Sequence, residues 1–227
     1  MNKYVIGIFA HPDDAAFGPS GTLYLAAQQG SQVHLICATC GGAGVNLDGH
    51  QNLADIREAE EKRASELIGV TSLELFRYDD GTLSNNLYLE IAQRIINHIT
   101  PLISLGDEMT LITFDSNGLS GHIDHIVITQ ATTYAYLKLR EKFPDATLRL
   151  KYFCLSDKVV PTANTDWLYM PRGRSVDLID EMIDVSSVRE RKLEIMHAHH
   201  SQRSDAEAII AMSGDKLYEE NFYYFRD

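Results

Sequence analysis

Two short segments of the sequence carry side chains of the kinds that bind metals and move protons. The first is His11-Pro12-Asp13-Asp14, in which the proline removes a backbone donor and fixes its own backbone angle. One imidazole and two carboxylates are therefore held on a stiff turn. The alternative for this segment is an aspartate pair that caps a helix beside a solvated histidine.

The second segment is Gly121-His122-Ile123-Asp124-His125. At the start of a helix, His122 and His125 are three positions apart and share one face. Asp124 lies near the positive end of that helix, where its carboxylate could orient an imidazole. The alternative here is a solvated histidine pair that only caps the helix.

Taken together, the two segments offer several imidazoles and several carboxylates. Two histidines and one carboxylate with an open position are typical of catalytic zinc sites. A metal in such a site acidifies its bound water, and a neighbouring carboxylate that is not a ligand can accept the proton. The pair of segments therefore predicts a metal site.

The elements that must position these segments alternate along the chain. Short apolar runs predict strands and longer amphipathic stretches predict helices. The predicted strands are 5–10, 33–38, 73–76 and 109–114, with a late strand at 222–225, and the predicted helices are 22–29, 53–68, 87–99, 122–142 and 186–201. This alternation predicts an α/β fold with a Rossmann-like, mostly parallel sheet and helices on both faces. Ligands bind beyond the carboxyl ends of such strands, so we expect the two segments to meet there.

Composition narrows the function further. A chain of 227 residues with 44% hydrophobic and 23% charged residues is globular, and we expect one domain over residues 1–227. The net charge of −12, without a basic tract, argues against nucleic acid or an anionic membrane as the main partner. Three cysteines cannot form a disulfide framework, and no stretch approaches the roughly 20 apolar residues of a membrane span. We therefore expect a cytoplasmic protein.

The order and spacing of the motifs resemble the LmbE-like, or PIG-L, family of zinc-dependent N-deacetylases. The resemblance spans most of the chain and implies the fold of that family. The segments that carry it are Ala10-His11-Pro12-Asp13-Asp14, Phe17-Gly18-Pro19-Ser20-Gly21-Thr22-Leu23, Thr39-Cys40-Gly41-Gly42-Ala43-Gly44, Arg57-Glu58-Ala59-Glu60, Leu67-Ile68-Gly69-Val70, Tyr78-Asp79-Asp80-Gly81, Gly121-His122-Ile123-Asp124-His125, Ile183-Asp184-Val185, Lys192 and His199-His200-Ser201-Gln202.

The resemblance implies a hydrolase that removes the N-acetyl group of an N-acetylglucosamine-type aminosugar conjugate. His11, Asp14 and His125 would ligate Zn²⁺, with another divalent metal such as Fe²⁺ as the alternative ion. The substrate partner would be the aminosugar conjugate.

The resemblance also implies roles for four other residues. Asp13 would be the general base on the zinc-bound water. His122 would stabilise the developing oxyanion or protonate the leaving amine, and Asp124 would position a histidine. Arg57 matches a family arginine that contacts the substrate.

Two alternatives to a deacetylase remain open. The family usually has a glutamate just after the two aspartates, where this chain has Ala15 and Ala16, so a metal- or sugar-binding protein without activity is one alternative. The H-x-D pattern of His122-Ile123-Asp124 also occurs in non-haem iron oxygenases. Those sites usually lie in an antiparallel barrel, whereas this chain alternates strands with helices.

Other features have less bearing on the chemistry. Cys37-Ala38-Thr39-Cys40 has the spacing of a redox pair, but it lies at a strand end and we expect ordinary packing. Substrate specificity is expected to depend on the loops 43–52 and 156–175. The aromatic tail 222–225 is expected to pack against the sheet or a second copy of the chain, which leaves a homo-oligomer open.

Overall fold

A seven-stranded sheet forms the centre of the computed structural model, which describes residues 2–159 and 172–226. Its strands are β1 (Lys3–Phe9), β2 (Gln32–Thr39), β3 (Ser72–Tyr78), β4 (Glu108–Phe114), β5 (Thr147–Cys154), β6 (Glu181–Asp184) and β7 (Glu219–Tyr224). Their order is β3-β2-β1-β4-β5-β7-β6. The first five strands pair in parallel, and β7 pairs antiparallel with both β5 and β6. The expected mostly parallel sheet is confirmed.

Helices cover the sheet in two groups. The helices are α1 (Asp14–Phe17), α2 (Ser20–Gln28), α3 (Leu53–Ile68), α4 (Tyr88–Ile99), α5 (Gly118–Gly121), α6 (Ile123–Lys142), α7 (Arg189–His197) and α8 (Arg203–Ser213). Short 3-10 segments lie at Thr100–Leu102, Val176–Leu178, Ser186–Val188, His200–Gln202 and Gly214–Tyr218. Helices α4 and α6 pack together, and α6 contacts β1 and β4. Helices α2, α3 and α7 form the second group, in which α2 contacts β1 and β2. No helix in the described ranges is both long enough and apolar enough to cross a membrane.

The central strands owe their position to their side chains. In β1 the last four residues are buried, and in β2 seven of eight are. A near-continuous apolar run suits a parallel strand that is covered on both faces. These two strands and β4 therefore lie in the middle of the sheet, and the segments that follow them share one edge.

The structure differs from the predicted elements mainly after residue 142. The single helix predicted over 186–201 is the shorter α7 between two 3-10 segments, and β5, β6 and α8 were not predicted. The predicted late strand is present as β7. Of the loop expected over 156–175, residues 160–171 lie outside the described residues, while Ser156 pairs with Arg174 in an isolated bridge.

Candidate metal centre

The two predicted segments come together at the carboxyl ends of β1 and β4. These strands are parallel neighbours, so the turn after Phe9 and the segment after Phe114 lie at the same edge. Chain connections leave this edge in opposite directions, toward β2 from one strand and toward β5 from the other, which is where ligands bind in such sheets. The ring of His11 lies 4.8 Å from that of His122 and 5.0 Å from that of His125, between centroids.

The turn after β1 is held in an unusual backbone conformation. Asp13 has φ of 109°, a left-handed value that side chains other than glycine rarely adopt. Arg57 Nη2 donates to the carbonyl of Pro12 at 2.6 Å and to Asp13 Oδ2 at 2.7 Å. The Asp13 amide donates to Glu61 Oε2 at 3.1 Å. Two residues one turn apart on α3 therefore fix both the backbone and the carboxylate of Asp13.

The hydrogen-bond partners of His11 indicate which of its two ring nitrogens carries the proton and which one is free to bind a metal. Its Nε2 lies 3.0 Å from Asp80 Oδ1 and 3.3 Å from Asp124 Oδ2. Asp124 is itself fixed, because its two oxygens accept from the amides of Gly81 at 2.8 Å and Leu83 at 3.0 Å. We assign the ring proton to Nε2, which leaves the lone pair on Nδ1. Asp124 was predicted to position a histidine, and the histidine that it contacts is His11.

His125 is oriented in the complementary way. Its Nδ1 lies 3.0 Å from the carbonyl oxygen of Gly118, a group that can only accept a hydrogen bond. The lone pair is therefore on Nε2, 3.1 Å from Nδ1 of His11. Phe114 stacks on the ring at 4.2 Å between centroids and 14° between planes. Two lone pairs that face each other at this distance need a proton or a metal cation between them.

The carboxylate of Asp14 completes this set. Its Oδ1 lies 3.3 Å from His125 Nε2, and its Oδ2 lies 3.6 Å from His11 Nδ1. Burial alone would raise the pKa of Asp14, but the two imidazoles outweigh burial and hold this pKa well below its usual value. Ligand atoms at zinc bond lengths of about 2.0–2.1 Å on a tetrahedron are about 3.3 Å apart. The distances between the two nitrogens and the Asp14 carboxylate are therefore close to those around a small tetrahedral cation, with each nitrogen nearest a different oxygen of that carboxylate.

Among the described residues, two combinations bring one ligand atom from each side chain within 4.8 Å of one another, and neither includes Asp14. One is His11, His122 and His125, and the other is His11, Asp80 and Asp124. The second set surrounds the nitrogen of His11 that carries the proton in our assignment. A metal held by His11 would therefore bind on the Nδ1 side of its ring.

The Asp13 carboxylate differs from its neighbour Asp14 in environment. It faces the Arg57 guanidinium, and 12% of its side chain is exposed. Burial raises the pKa of Asp13 to about 7, against the opposing effect of the Arg57 charge. Two adjacent aspartates are thus held by different partners, one by a guanidinium and the other by imidazoles and backbone amides.

His122 caps helix α6. Its Nδ1 accepts a hydrogen bond from the amide of Asp124 at 3.2 Å. The ring proton is therefore on Nε2, which is a donor. Burial lowers the pKa of His122, and the nearby imidazoles of His11 and His125 lower it further. The ring is thus held neutral with an N–H group available near the centre.

Arg57 is buried behind the turn. Its side chain is 4% exposed, and its Nη1 donates to the Gly41 carbonyl at 2.6 Å in addition to the two Nη2 contacts above. The guanidinium contacts the turn that carries Asp13. The predicted contact between Arg57 and a substrate stays a prediction.

Two residues at the site were not singled out from the sequence. Asp80 fixes His11, and the signal for it was the polar Asp79-Asp80-Gly81 turn at the end of the third predicted strand. Glu61 binds the Asp13 amide, and burial raises the pKa of Glu61 to about 8. No sequence signal marks Glu61, because it lies among other charged residues of α3.

Comparison with known proteins identifies the family. The family model described as "PIG-L: GlcNAc-PI de-N-acetylase" matches residues 6–136. The chain belongs to the PIG-L family. The resemblance drawn from the motifs is therefore confirmed.

Two relatives and a solved structure resemble the chain over most of its length. A Bacillus cereus protein named "Probable N-acetyl-alpha-D-glucosaminyl L-malate deacetylase 2" is 27% identical over 89% of this chain and 84% of its own. The 1D-myo-inositol 2-acetamido-2-deoxy-alpha-D-glucopyranoside deacetylase of Acidothermus cellulolyticus is 25% identical over 95% of this chain and 85% of its own. The N,N'-diacetylchitobiose deacetylase from Pyrococcus horikoshii has the same fold, with a TM-score of 0.70, 18% identity, and coverage of 98% of this chain and 83% of its own.

Proposed function

We propose that this protein is a metal-dependent N-deacetylase that removes the acetyl group from an N-acetylglucosamine-type conjugate. The observation that carries the proposal is the set of donors formed by His11 Nδ1, His125 Nε2 and the Asp14 carboxylate, 3.1–3.6 Å apart. The relatives named as deacetylases of aminosugar conjugates support the reaction and the substrate class. We further propose one domain over residues 1–227.

The chemistry divides between the metal and the protein. A bound Zn²⁺ would acidify water and polarise the amide carbonyl. The same imidazole and carboxylate donors also bind Fe²⁺, which is the alternative ion. Asp13 accepts a proton from the attacking water, since its carboxylate is held by Arg57 and is not among the proposed ligands. A bond from the water oxygen to the acetyl carbon forms, and the bond from that carbon to nitrogen breaks.

His122 donates a hydrogen bond or a proton to the reacting amide. Its Nε2–H group can donate to the carbonyl oxygen as that atom becomes negative, or to the leaving nitrogen. Asp124 holds His11 in the tautomer that presents Nδ1 to the metal. The products are acetate and the free amine.

The departure at Ala15 and Ala16 leaves this machinery intact. Both side chains are buried in the apolar core, and neither takes part in the donor set or in the contacts of Asp13. Only an activity assay therefore distinguishes a deacetylase from the alternative, an inactive binding protein. The iron oxygenase is disfavoured, because the sheet is mostly parallel and not an antiparallel barrel.

The test uses the zinc-loaded protein with N-acetylglucosamine conjugates that carry malate, inositol or a second sugar. Release of free amine supports the proposal, and His11→Ala, Asp14→Ala and His125→Ala are each expected to lose zinc and activity. His98→Ala is the matched control, because His98 lies on α4 outside both donor sets. Full zinc occupancy in all three site variants would overturn the ligand assignment, and no amine from any conjugate would favour the inactive binding protein.

A further inference from the structure

A cavity of about 180 Å³ lies beside the metal centre. Asp14 and His125, two of the proposed ligands, form part of its wall. Most of the remaining wall consists of hydrocarbon side chains, among them Phe17, Phe114, Leu119, Phe153, Ile209 and Met212. A group bonded to the reacting carbonyl carbon could extend directly into this space.

The charged groups in the wall of the cavity are already paired. Lys192 Nζ donates to the Gly18 carbonyl at 2.7 Å and to Glu220 Oε1 at 2.5 Å. The Glu220 oxygens accept from the amides of Gly21 at 2.9 Å and Thr22 at 2.7 Å. Both of these side chains are 1% exposed.

The other charged residues of the wall, apart from the proposed ligand Asp14, are Lys216 and Glu219, which pair with each other. The cavity therefore offers mainly apolar surface, and its buried ion pair is satisfied without a ligand. One polar exception is Asn221, whose buried Oδ1 has no hydrogen-bond partner among the described residues.

The polar surroundings of the centre lie elsewhere. Residues 43–52 follow β2, are mostly exposed and contain Asn46, Asp48 and His50. The amide of Ala43 donates to Asp80, which holds the far side of His11. None of residues 43–52, all of which are described, lines the cavity. A sugar with its hydroxyl groups suits this polar side, since burying hydroxyls without partners is unfavourable.

We propose that the cavity receives the acyl chain of the amide substrate, and that acyl groups of about four to six carbons are hydrolysed with higher kcat/KM than acetyl. This inference rests on the proposed function. An apolar cavity of about 150 Å³ accepts a six-carbon benzene molecule, so the cavity exceeds what an acetyl methyl group fills. Each methylene moved from water to an apolar site improves binding about fourfold. The reaction is unchanged: water adds its oxygen to the acyl carbon, the bond to nitrogen breaks, the amine takes the proton, and the chain leaves as a carboxylate.

The experiment compares acyl chains on one sugar. The zinc-loaded protein is given N-acetyl-, N-butanoyl-, N-hexanoyl- and N-decanoyl-glucosamine, and free amine is measured. We expect kcat/KM to rise about tenfold or more from acetyl to butanoyl or hexanoyl and to fall for decanoyl. Ile209→Phe, which fills the cavity, is expected to move the optimum to shorter chains, and Ile209→Ala is expected to move it to longer ones.

Ile210 provides the matched control. It is the next residue of α8, is half-buried like Ile209, and does not line the cavity. Ile210→Phe is therefore expected to leave the chain-length profile unchanged. An equal shift in both phenylalanine variants would overturn the assignment of the cavity, as would a wild-type preference for acetyl or equal rates for hexanoyl and decanoyl.

A second measurement separates this inference from the proposed function. Hexanoate, the product carboxylate, is expected to raise the Tm of the protein more than acetate does at equal concentration, and Ile209→Phe is expected to remove that difference. If acetyl-glucosamine alone is hydrolysed, the proposed function stands and the acyl site is wrong. If neither these compounds nor the conjugates of the earlier test are hydrolysed, the proposed function is wrong. Equal Tm shifts for hexanoate and acetate would overturn the acyl site in either case.

Discussion

The substitution Asp13→Asn separates the proposed proton acceptor from the proposed metal ligands. Asparagine keeps the shape of the side chain and an acceptor oxygen for Arg57 Nη2, which lies 2.7 Å from Asp13 Oδ2, but it removes the basic carboxylate. Asp14 is unchanged and keeps its contacts of 3.3 Å and 3.6 Å with His125 and His11. We therefore expect zinc to stay bound while turnover falls about 10²–10⁴-fold, the usual contribution of a general base.

The structure also sets the effect of this substitution on stability. Replacing a hydrogen bond to a charged group, which contributes about 1.5–3 kcal/mol, by a neutral one of about 0.5–1.5 kcal/mol costs about 1–1.5 kcal/mol. The burial that raises the pKa of Asp13 to about 7 disfavours the charged carboxylate, and its relief in asparagine offsets part of that cost. We therefore expect the free energy of unfolding to fall by no more than about 1.5 kcal/mol. Asp80 Oδ2 lies 3.7 Å from Arg57 Nη1 and continues to compensate the guanidinium. The loss therefore stays below the roughly 3–5 kcal/mol of an unpaired buried charge. Asparagine also tolerates the positive φ of Asp13.

Three measurements on the same preparations test this reasoning. They are zinc content by elemental analysis, amine release from one accepted conjugate, and urea unfolding. Asp14→Asn is the matched comparison and is expected to lose both zinc and turnover. If Asp13→Asn lost its zinc, or kept near-normal turnover, the division of roles between the two aspartates would be refuted. A loss of more than about 3 kcal/mol would show that Asp80 does not compensate Arg57.

Three further predictions concern stability and reactivity away from the reacting atoms. Lys192→Met leaves the buried Glu220 carboxylate unpaired and is expected to lower the free energy of unfolding in urea by about 3–5 kcal/mol, while adding Glu220→Gln should recover much of that loss. Hydrogen bonds from Arg77 and Lys62 lower the pKa of Glu58 to about 2. Because both partners are more than half exposed, Glu58→Gln should lower the free energy of unfolding by only about 0.5–1 kcal/mol near neutral pH. The pKa of Glu58 is lower in the folded than in the unfolded protein, so the stability that its charge supplies is lost as the pH falls. The urea midpoints of the wild type and Glu58→Gln should therefore converge as the pH falls from 4.5 toward about 2, and a constant gap would contradict the lowered pKa. A thiol reagent at about pH 8, where exposed thiols react, should label the partly exposed Cys40 and spare Cys154, since burial raises the pKa of Cys154 to about 12. Peptide masses that show labelling of Cys154 in the folded protein would refute this prediction.

The sequence predicts the first two thirds of the fold well because its local signals agree there. Helix α3 spans 53–68 as predicted, and Gly69, at φ of 86°, ends it in the left-handed conformation that glycine favours. After residue 142 the signals conflict. Strand β5 alternates polar and apolar residues, and its pairing with β7 is a contact between distant parts of the chain. The predicted helix over 186–201 fails at His199, where ψ of 62° is not helical.

For the site, strand ends were enough to predict which segments meet, but not how each side chain is oriented. The choice between the two nitrogens of His11 depends on Asp80, and that of His125 depends on the Gly118 carbonyl. Neither contact follows from the spacing of the motifs. Likewise, the burial of Arg57 follows from carbonyl groups at Pro12 and Gly41, which only the folded chain brings to it.

The pairing of β1 with β4 also sets when the metal set can form during synthesis. Lys3 lies opposite Glu108 in this pairing, so the central contact of the sheet joins parts of the chain about 100 residues apart. His11 and Asp14 leave the ribosome more than 100 residues before His125. Under the proposed ligand assignment, a nascent chain would therefore carry an incomplete set of ligands until His125 had been made, and metal binding would depend on β4 having joined the sheet.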